Sequence, residues 1–269
     1  MHIALFTSNH LRHKYVAAQI AKHLPLRLIV TEEKSSAIED TINYNSKDQQ
    51  LLDDHFSSRA RSEEHFFGAY NEFPSDVALV EKEFGTLNSQ ETLDLLETYQ
   101  VDSILLFGTS IIKTLILDAY PGRIVNLHLG LSPYYKGSGT NFFPIVNNEF
   151  ECLGATIHIA TAKVDAGSIL HQFRLDDFSE NSSVHSLGNK VIEKAGALYP
   201  KVMAAYLSEE IEEVVQQEIE NSKVFKIKDF TPRMLRKALL VLDNEGVKNY
   251  LGTRAKRITS KPIISNYHE

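Results

Sequence analysis

Apolar and polar positions alternate along this chain in blocks that shift between strand and helix periods. Residues 2–7, with the apolar run 3–6 between His2 and Thr7, read as a buried strand. Tyr15, Val16, Ile20 and Leu24 then recur with the spacing of one helix face, and Asn9 stands where a helix cap is expected. Pro25 marks a turn, and residues 26–31 supply the next strand. Strand, helix and strand within about 30 residues predict a right-handed crossover and a parallel sheet.

Further along, residues 33–75 are polar and charged, with a helix expected over 48–67 whose Leu51, Leu52, Phe56, Phe66 and Phe67 dock it on the body. Ala78-Leu79-Val80 reads as a short strand, and Ser89 as the cap of a helix carrying Leu93, Leu95, Leu96 and Tyr99. Residues 103–107 read as a central strand, with Ser103 followed by four apolar residues, and Gly108 ends them. A short helix is expected over 111–117, and a strand over 123–129. Two more strands, 154–160 and 169–175, precede the longest helical pattern, 183–207, which starts at Ser182 or Ser183. The fold class predicted is α/β, a Rossmann-like, mostly parallel twisted sheet with flanking helices and a small C-terminal appendage. A linker near 218–223 is expected to divide a main domain, 1–218, from a small basic one, 223–269. In the latter, residues 225–228 read as a strand, Pro232 as a helix start and 254–258 as a further segment.

Composition changes this picture little. With 43% hydrophobic and 23% charged residues among 269, the chain can bury an ordinary globular core. No stretch approaches the roughly 18 apolar residues of a membrane span, so the reading is a cytoplasmic protein with no membrane partner. Its one cysteine, Cys152, excludes an internal disulfide and reads as a structural thiol. Charge changes it more. The net charge of -7 conceals a tail, 223–269, with 11 Lys and Arg against 4 Asp and Glu. Such a tail can pair with the acidic body, or attract nucleic acid or a phosphorylated small molecule.

The candidate chemistry lies in Asn126-Leu127-His128 and, further on, Asp165. Asn126 and His128 stand two apart, so on a strand they share a face. An amide that can donate to a developing oxyanion, an imidazole near pH 7 and a carboxylate are the parts needed to move an acyl group onto an amine. The residues after His128, from Gly130 to Gly139, form a turn-rich loop able to wrap a ligand. Nothing in this chemistry requires a metal or a covalent enzyme intermediate.

Taken in order, Asn126-Leu127-His128, Leu131-Ser132-Pro133-Tyr134-Tyr135-Lys136-Gly137, Gly154-Ala155-Thr156-Ile157-His158 and Asp165-Ala166-Gly167 resemble the motifs of the folate-dependent formyltransferase family. The resemblance is strongest over 103–171 and extends more weakly over 1–32. Among the family's branches the chain looks most like the nucleotide-linked amino-sugar N-formyltransferases of surface-polysaccharide synthesis. It departs from the family where a serine usually precedes Leu-Leu-Pro, here Gly130-Leu131-Ser132-Pro133, and where Lys136 replaces the usual arginine. Lysine keeps the charge but loses the planar fork.

The resemblance implies N10-formyltetrahydrofolate as formyl donor and a primary amine as acceptor. It implies catalytic roles for Asn126, His128 and Asp165. Phe107, Gly108, Thr109, Ile111, Ser132, Val164 and Asp165 fall where the folate binds, and His158 falls at a pocket wall or behind the catalytic groups. Ser8, Asn9, Arg12, Lys14, Tyr134, Lys136 and Gly137 are candidates for the acceptor. The partner expected is a nucleotide-linked amino sugar rather than a nucleic acid, and a homodimer is compatible with it. Glycinamide ribonucleotide enzymes are shorter, and methionyl-tRNA enzymes carry a longer C-terminal barrel. Methionyl-tRNA formylation through the basic tail and a non-catalytic folate or nucleotide-sugar binding module are the alternatives.

Overall fold

The computed structural model describes residues 1–33, 44–220 and 222–268. Residues 34–43 of the polar segment expected over 33–75 lie outside the described residues. A seven-stranded sheet forms the centre. Its strands are β1 (Ile3–Thr7), β2 (Leu26–Glu32), β3 (Ala78–Lys82), β4 (Ser103–Leu106), β5 (Ile124–His128), β7 (Gly154–Ile159) and β8 (Ile169–Arg174). Their order is β3-β2-β1-β4-β5-β7-β8. The first five run parallel, as the strand–helix–strand alternation predicts, whereas β7 is antiparallel to both β5 and β8. From β1 the chain winds outward to β2 and β3, then returns to start the other half at β4. Open α/β sheets bind ligands at the carboxyl end of such a reversal.

Two apolar layers cover the sheet. One packs Ile3, Leu5, Leu105, Val125 and Leu127 under α1 (Leu11–His23) and α6 (Val184–Leu207), with α2 (Ser46–Phe67) outside. The other packs Ala4, Phe6, Leu28, Ile104 and Ile124 under α3 (Gln90–Thr98) and α4 (Thr114–Ala119). Alternate residues of each strand serve alternate layers, the two-residue period expected of a sheet covered on both faces. Helix α6 also inserts Tyr199 at the edge of the site. The Tyr199 hydroxyl donates to the Val125 carbonyl at 2.8 Å and accepts from the Leu106 N–H at 3.2 Å, beside the β4–β5 pair Leu106 and Asn126.

Several expected boundaries move for local reasons. Ser89 and Ser183 cap α3 and α6 as expected. Helix α1, however, is capped at His10, which makes no side-chain cap bond, rather than at Asn9. The helix expected over 111–117 begins only at Thr114, because the Asn88 amide bonds the Ile111 carbonyl at 2.9 Å and the Lys113 N–H at 2.6 Å, holding 111–113 extended. The strand expected over 225–228 is Lys223–Phe225 (β9). Beyond it the Asp229 carboxylate accepts from the Lys226 N–H at 2.7 Å and turns the chain into a single 3-10 turn.

The C-terminal segment lies against the body. Strand β9 pairs in parallel with β6 (Tyr135–Gly137), within the loop that follows β5. Helix α7 (Pro232–Asp243) packs on α2 and on the short α5 (Phe143–Val146), and α8 (Gly246–Thr259) packs on the turn at Phe150–Cys152. Part of the tail's positive charge is paired with the body: Lys223 and Lys261 reach Glu149, Arg257 reaches Glu151, and Arg236 reaches Asp48. Among the described residues, no helix is long and apolar enough to cross a membrane.

Candidate active site

Asn126 and His128 alternate with apolar Val125 and Leu127 along β5, and therefore point to the same side of the sheet. Because β7 pairs antiparallel with β5, His158 lies directly across from Asn126 and Thr156 across from His128. Asp165 comes from the loop between β7 and β8, where its backbone takes a left-handed conformation with φ of 48°. Gly167 closes that loop against β7, since a Cβ there would collide with the Ile159 carbonyl. Residues from two strands and one loop thus meet at one buried polar cluster.

Hydrogen-bond directions follow from the fixed acceptors. The His158 Nδ1 lies 2.8 Å from the Ile159 carbonyl, so that nitrogen carries the proton and Nε2 is left as an acceptor. The Asn126 amide donates to this Nε2 at 3.0 Å and, more loosely, to the Asp165 Oδ1 at 3.4 Å. His128 uses its Nε2 proton on the Tyr135 carbonyl at 2.9 Å and turns Nδ1 toward the Asp165 Oδ2 at 3.3 Å. A neutral ring so placed would oppose a lone pair to a carboxylate, and a proton between Nδ1 and Oδ2 relieves this. The same Oδ2 accepts the Gly137 N–H at 2.7 Å.

Electrostatics favours the ionised carboxylate. Burial works to raise the Asp165 pKa, but the facing His128 imidazole and the Gly137 N–H work against it, and the carboxyl is held well below the usual range. For His128 burial dominates and pushes the imidazolium below the ordinary histidine value, against the pull of Asp165. When the pair holds a proton, that proton therefore resides on His128. Burial, with Lys163 nearby, likewise lowers Lys136, which lies beside Asp165 and is itself buried. Cys152 is buried and its thiol is pushed up to about 12, in keeping with a structural thiol.

The remaining candidates fall into separate places. Phe107 is buried, its ring tilted against that of His13 with centroids 4.8 Å apart, and its carbonyl accepts from the Thr7 hydroxyl at 2.9 Å. Gly108 needs φ of 69°, and a Cβ there would stand 2.5 Å from His13. Thr109 bonds the Ser110 carbonyl, while Ile111 and Val164 are exposed. Ser132 is fully buried, its N–H on the Thr156 hydroxyl and its carbonyl on the Gln172 amide. On the acceptor side, Arg12 is buried in an ion pair with Glu63, and Lys14 donates to the Asn71 carbonyl at 2.9 Å. Ser8 is buried and Asn9 exposed. The Tyr134 hydroxyl donates to the Pro262 carbonyl at 2.8 Å. The cluster thus joins Asn126, His128, Asp165, Gly137 and His158, whereas the groups on α1 are engaged elsewhere.

Sequence reasoning missed two members. Glu32, at the end of β2, accepts the Gly85 N–H, the Ser110 N–H and the Ser110 hydroxyl at 2.7–2.9 Å and so fastens the loop after β4. Gln216 donates to the Asp165 carbonyl at 3.1 Å. A glutamate ending an otherwise apolar strand could have drawn attention to the first; no local pattern marks the second.

Comparison with known proteins agrees with this geometry. Residues 74–203 match the sequence profile of the family described as formyl transferase. This segment belongs to the formyl transferase family. It contains Asn126, His128, His158 and Asp165, while β1, β2 and the C-terminal segment lie outside it. The chain is 31% identical over 130 residues to the chloroplastic phosphoribosylglycinamide formyltransferase of Arabidopsis thaliana, covering 46% of this chain and 44% of that protein. It is 24% identical over 185 residues to the methionyl-tRNA formyltransferase of Clostridium tetani, covering 68% of this chain and 56% of that protein. The chain therefore spans about half the length of these formyl transferase relatives. In three dimensions it resembles the N-formyltransferase of Helicobacter canadensis solved in complex with folinic acid and dTDP-3-aminofucose. There the TM-score is 0.54 at 17% identity, over 87% of this chain and 78% of the other.

Proposed function

We propose that this chain transfers a formyl group from N10-formyltetrahydrofolate to the primary amine of a nucleotide-linked amino sugar. The observation that carries the reaction is the convergence of the Asn126 amide, the His128 ring and the Asp165 carboxylate within hydrogen-bond reach. The folate supplies an electrophilic formyl carbon. Of the two Asn126 N–H groups, the one on Asp165 is held at 3.4 Å, the longer contact, and is the one that can turn to the formyl oxygen as charge develops there. Asp165, ionised and with its Oδ2 3.3 Å from the His128 Nδ1, accepts the proton that the attacking amine must lose, shares it with that ring, and returns it to the departing nitrogen. Both His128 nitrogens are engaged inside the protein, so the ring acts through Asp165 rather than by direct contact with the amine.

Support for the donor site comes from the loop 107–111, which stands at the carboxyl end of β4, next to the β1–β4 reversal and adjacent to Asn126. The Helicobacter canadensis protein, bound to a folate and to a nucleotide-linked amino sugar, supports both halves of the reading. The sequence relatives favour a second one, with glycinamide ribonucleotide or methionyl-tRNA as acceptor. A formyl-transfer assay with N10-formyltetrahydrofolate against nucleotide-linked amino sugars, glycinamide ribonucleotide and Met-tRNA separates them. Turnover on the sugars is expected; turnover only on tRNA or the ribonucleotide would replace the sugar reading.

A further inference from the structure

The segment that joins α6 to β9 is built into the polar cluster from outside the formyl transferase segment. Val214 forms an antiparallel bridge with Ile169 of β8, each N–H meeting the other's carbonyl at 2.8 Å. Two residues on, the Gln216 amide crosses to the Asp165 carbonyl at 3.1 Å and lies 3.5 Å from the Gly167 carbonyl. These are the two residues that force the loop's shape: Asp165 is a non-glycine residue in left-handed backbone, and Gly167 admits no side chain. A non-glycine residue keeps such a conformation only where its surroundings determine it. Gly167 is fixed from the inside by β7 and, with Asp165, from the outside by Gln216.

The same segment fastens the opposite side of the Asp165 carboxylate. The Ser222 hydroxyl donates to the Pro133 carbonyl at 2.6 Å, the Lys223 N–H to the Tyr134 carbonyl at 3.1 Å, and the Ser138 N–H to the Phe225 carbonyl at 2.9 Å. These bonds hold β6 in register, and β6 ends at Gly137, whose N–H reaches the Asp165 Oδ2. A Cβ at Gly137 would collide with the Phe225 carbonyl, so strap and loop are in direct backbone contact.

We propose that Gln216 is a positioning residue of the active site: by holding the Asp165 carbonyl it aims the Asp165 carboxylate at His128 and Gly137, and the strap residues Val214, Gln216 and Ser222–Phe225 complete the site. The effect on turnover rests on the formyl-transfer reading; the effect on the Asp165–His128 pair does not. Gln216→Ala and Gln216→Glu in the full chain test it, with turnover and the His128 imidazole titration followed by NMR. Gln216→Ala is expected to lower kcat about tenfold, with KM for donor and acceptor within about threefold. Its His128 titration moves down, because a displaced Asp165 stabilises the imidazolium less. Gln216→Glu keeps the shape but opposes an acceptor to the Asp165 carbonyl. Its activity relative to wild type is expected to recover as the pH falls toward the ordinary glutamate value of about 4.3. An unmoved His128 titration in Gln216→Ala would overturn the proposal, whether or not kcat falls. If the wild-type chain transfers no formyl group, the titration still decides.

Discussion

Two carboxylates are buried at the carboxyl edge of the same sheet, and their surroundings separate chemistry from architecture. Glu32 meets only neutral, fixed donors: two backbone N–H groups and a serine hydroxyl. Asp165 meets two imidazoles, an amide and one backbone N–H. Burial is similar, with 3% of Glu32 and 9% of Asp165 exposed, so burial does not distinguish them. The partners do. A carboxylate facing groups that can themselves change protonation can pass a proton on, whereas one facing peptide dipoles can only hold a loop.

Substitutions at the two sites should therefore fail in different ways. Asp165→Asn is expected to lower kcat by about 10²–10⁴-fold, the range for losing a positioned proton-transfer group, with little change in KM. Steady-state kinetics checks this, and a retained kcat would make Asp165 an architectural residue like Glu32. Asn126→Ala should cost about 10²–10³ in kcat through loss of one oxyanion donor, measured in the same assay. Glu32→Gln places an amide N–H against backbone N–H groups. It should cost about 1–3 kcal/mol of stability in urea or thermal unfolding. The donor KM should rise while kcat stays near wild type, because the loop after β4 loosens but the polar cluster does not.

The pH dependence sharpens the contrast further. Asp165 and His128 both have folded-state values below their unfolded ones. Their contributions to stability are thus fully present at high pH. His128's is lost as the pH falls below the ordinary histidine value of about 6.5, and Asp165's below the ordinary aspartate value of about 3.9. Burial also lowers His55 to about 3 and His185 to about 4 where their rings pack 4.4 Å apart between α2 and α6, adding to the same acid limb. Thermal unfolding from pH 8 to pH 2 should show stability falling with pH, and Asp165→Asn should flatten only the part below about pH 4. The smallest effect expected is from Gly108→Ala, where the new Cβ meets the His13 ring at 2.5 Å in left-handed backbone. A stability loss of about 1 kcal/mol is expected in chemical denaturation, with catalysis unchanged once donor saturates.

Much of this was legible before the fold was known. The apolar runs of β1, β4 and β5 and the helical faces of α1, α3 and α6 are local patterns, and each produced the expected element within a few residues. The motif order likewise marked Asn126, His128 and Asp165, which the structure brings together. What was misread was also local but depended on a distant partner: 111–113 stay extended because Asn88 binds them.

By itself, then, the sequence determined which residues could do chemistry and that Asn126 and His128 share a strand face, because a two-residue period is set by the backbone alone. Only the tertiary structure decided their partners. His158 faces Asn126 through antiparallel register across 32 residues, Gly137 reaches Asp165 across 28, and Gln216 reaches it across 51. Such contacts arise from crossovers and strand pairing that bring distant segments together, and they leave no periodic trace along the chain.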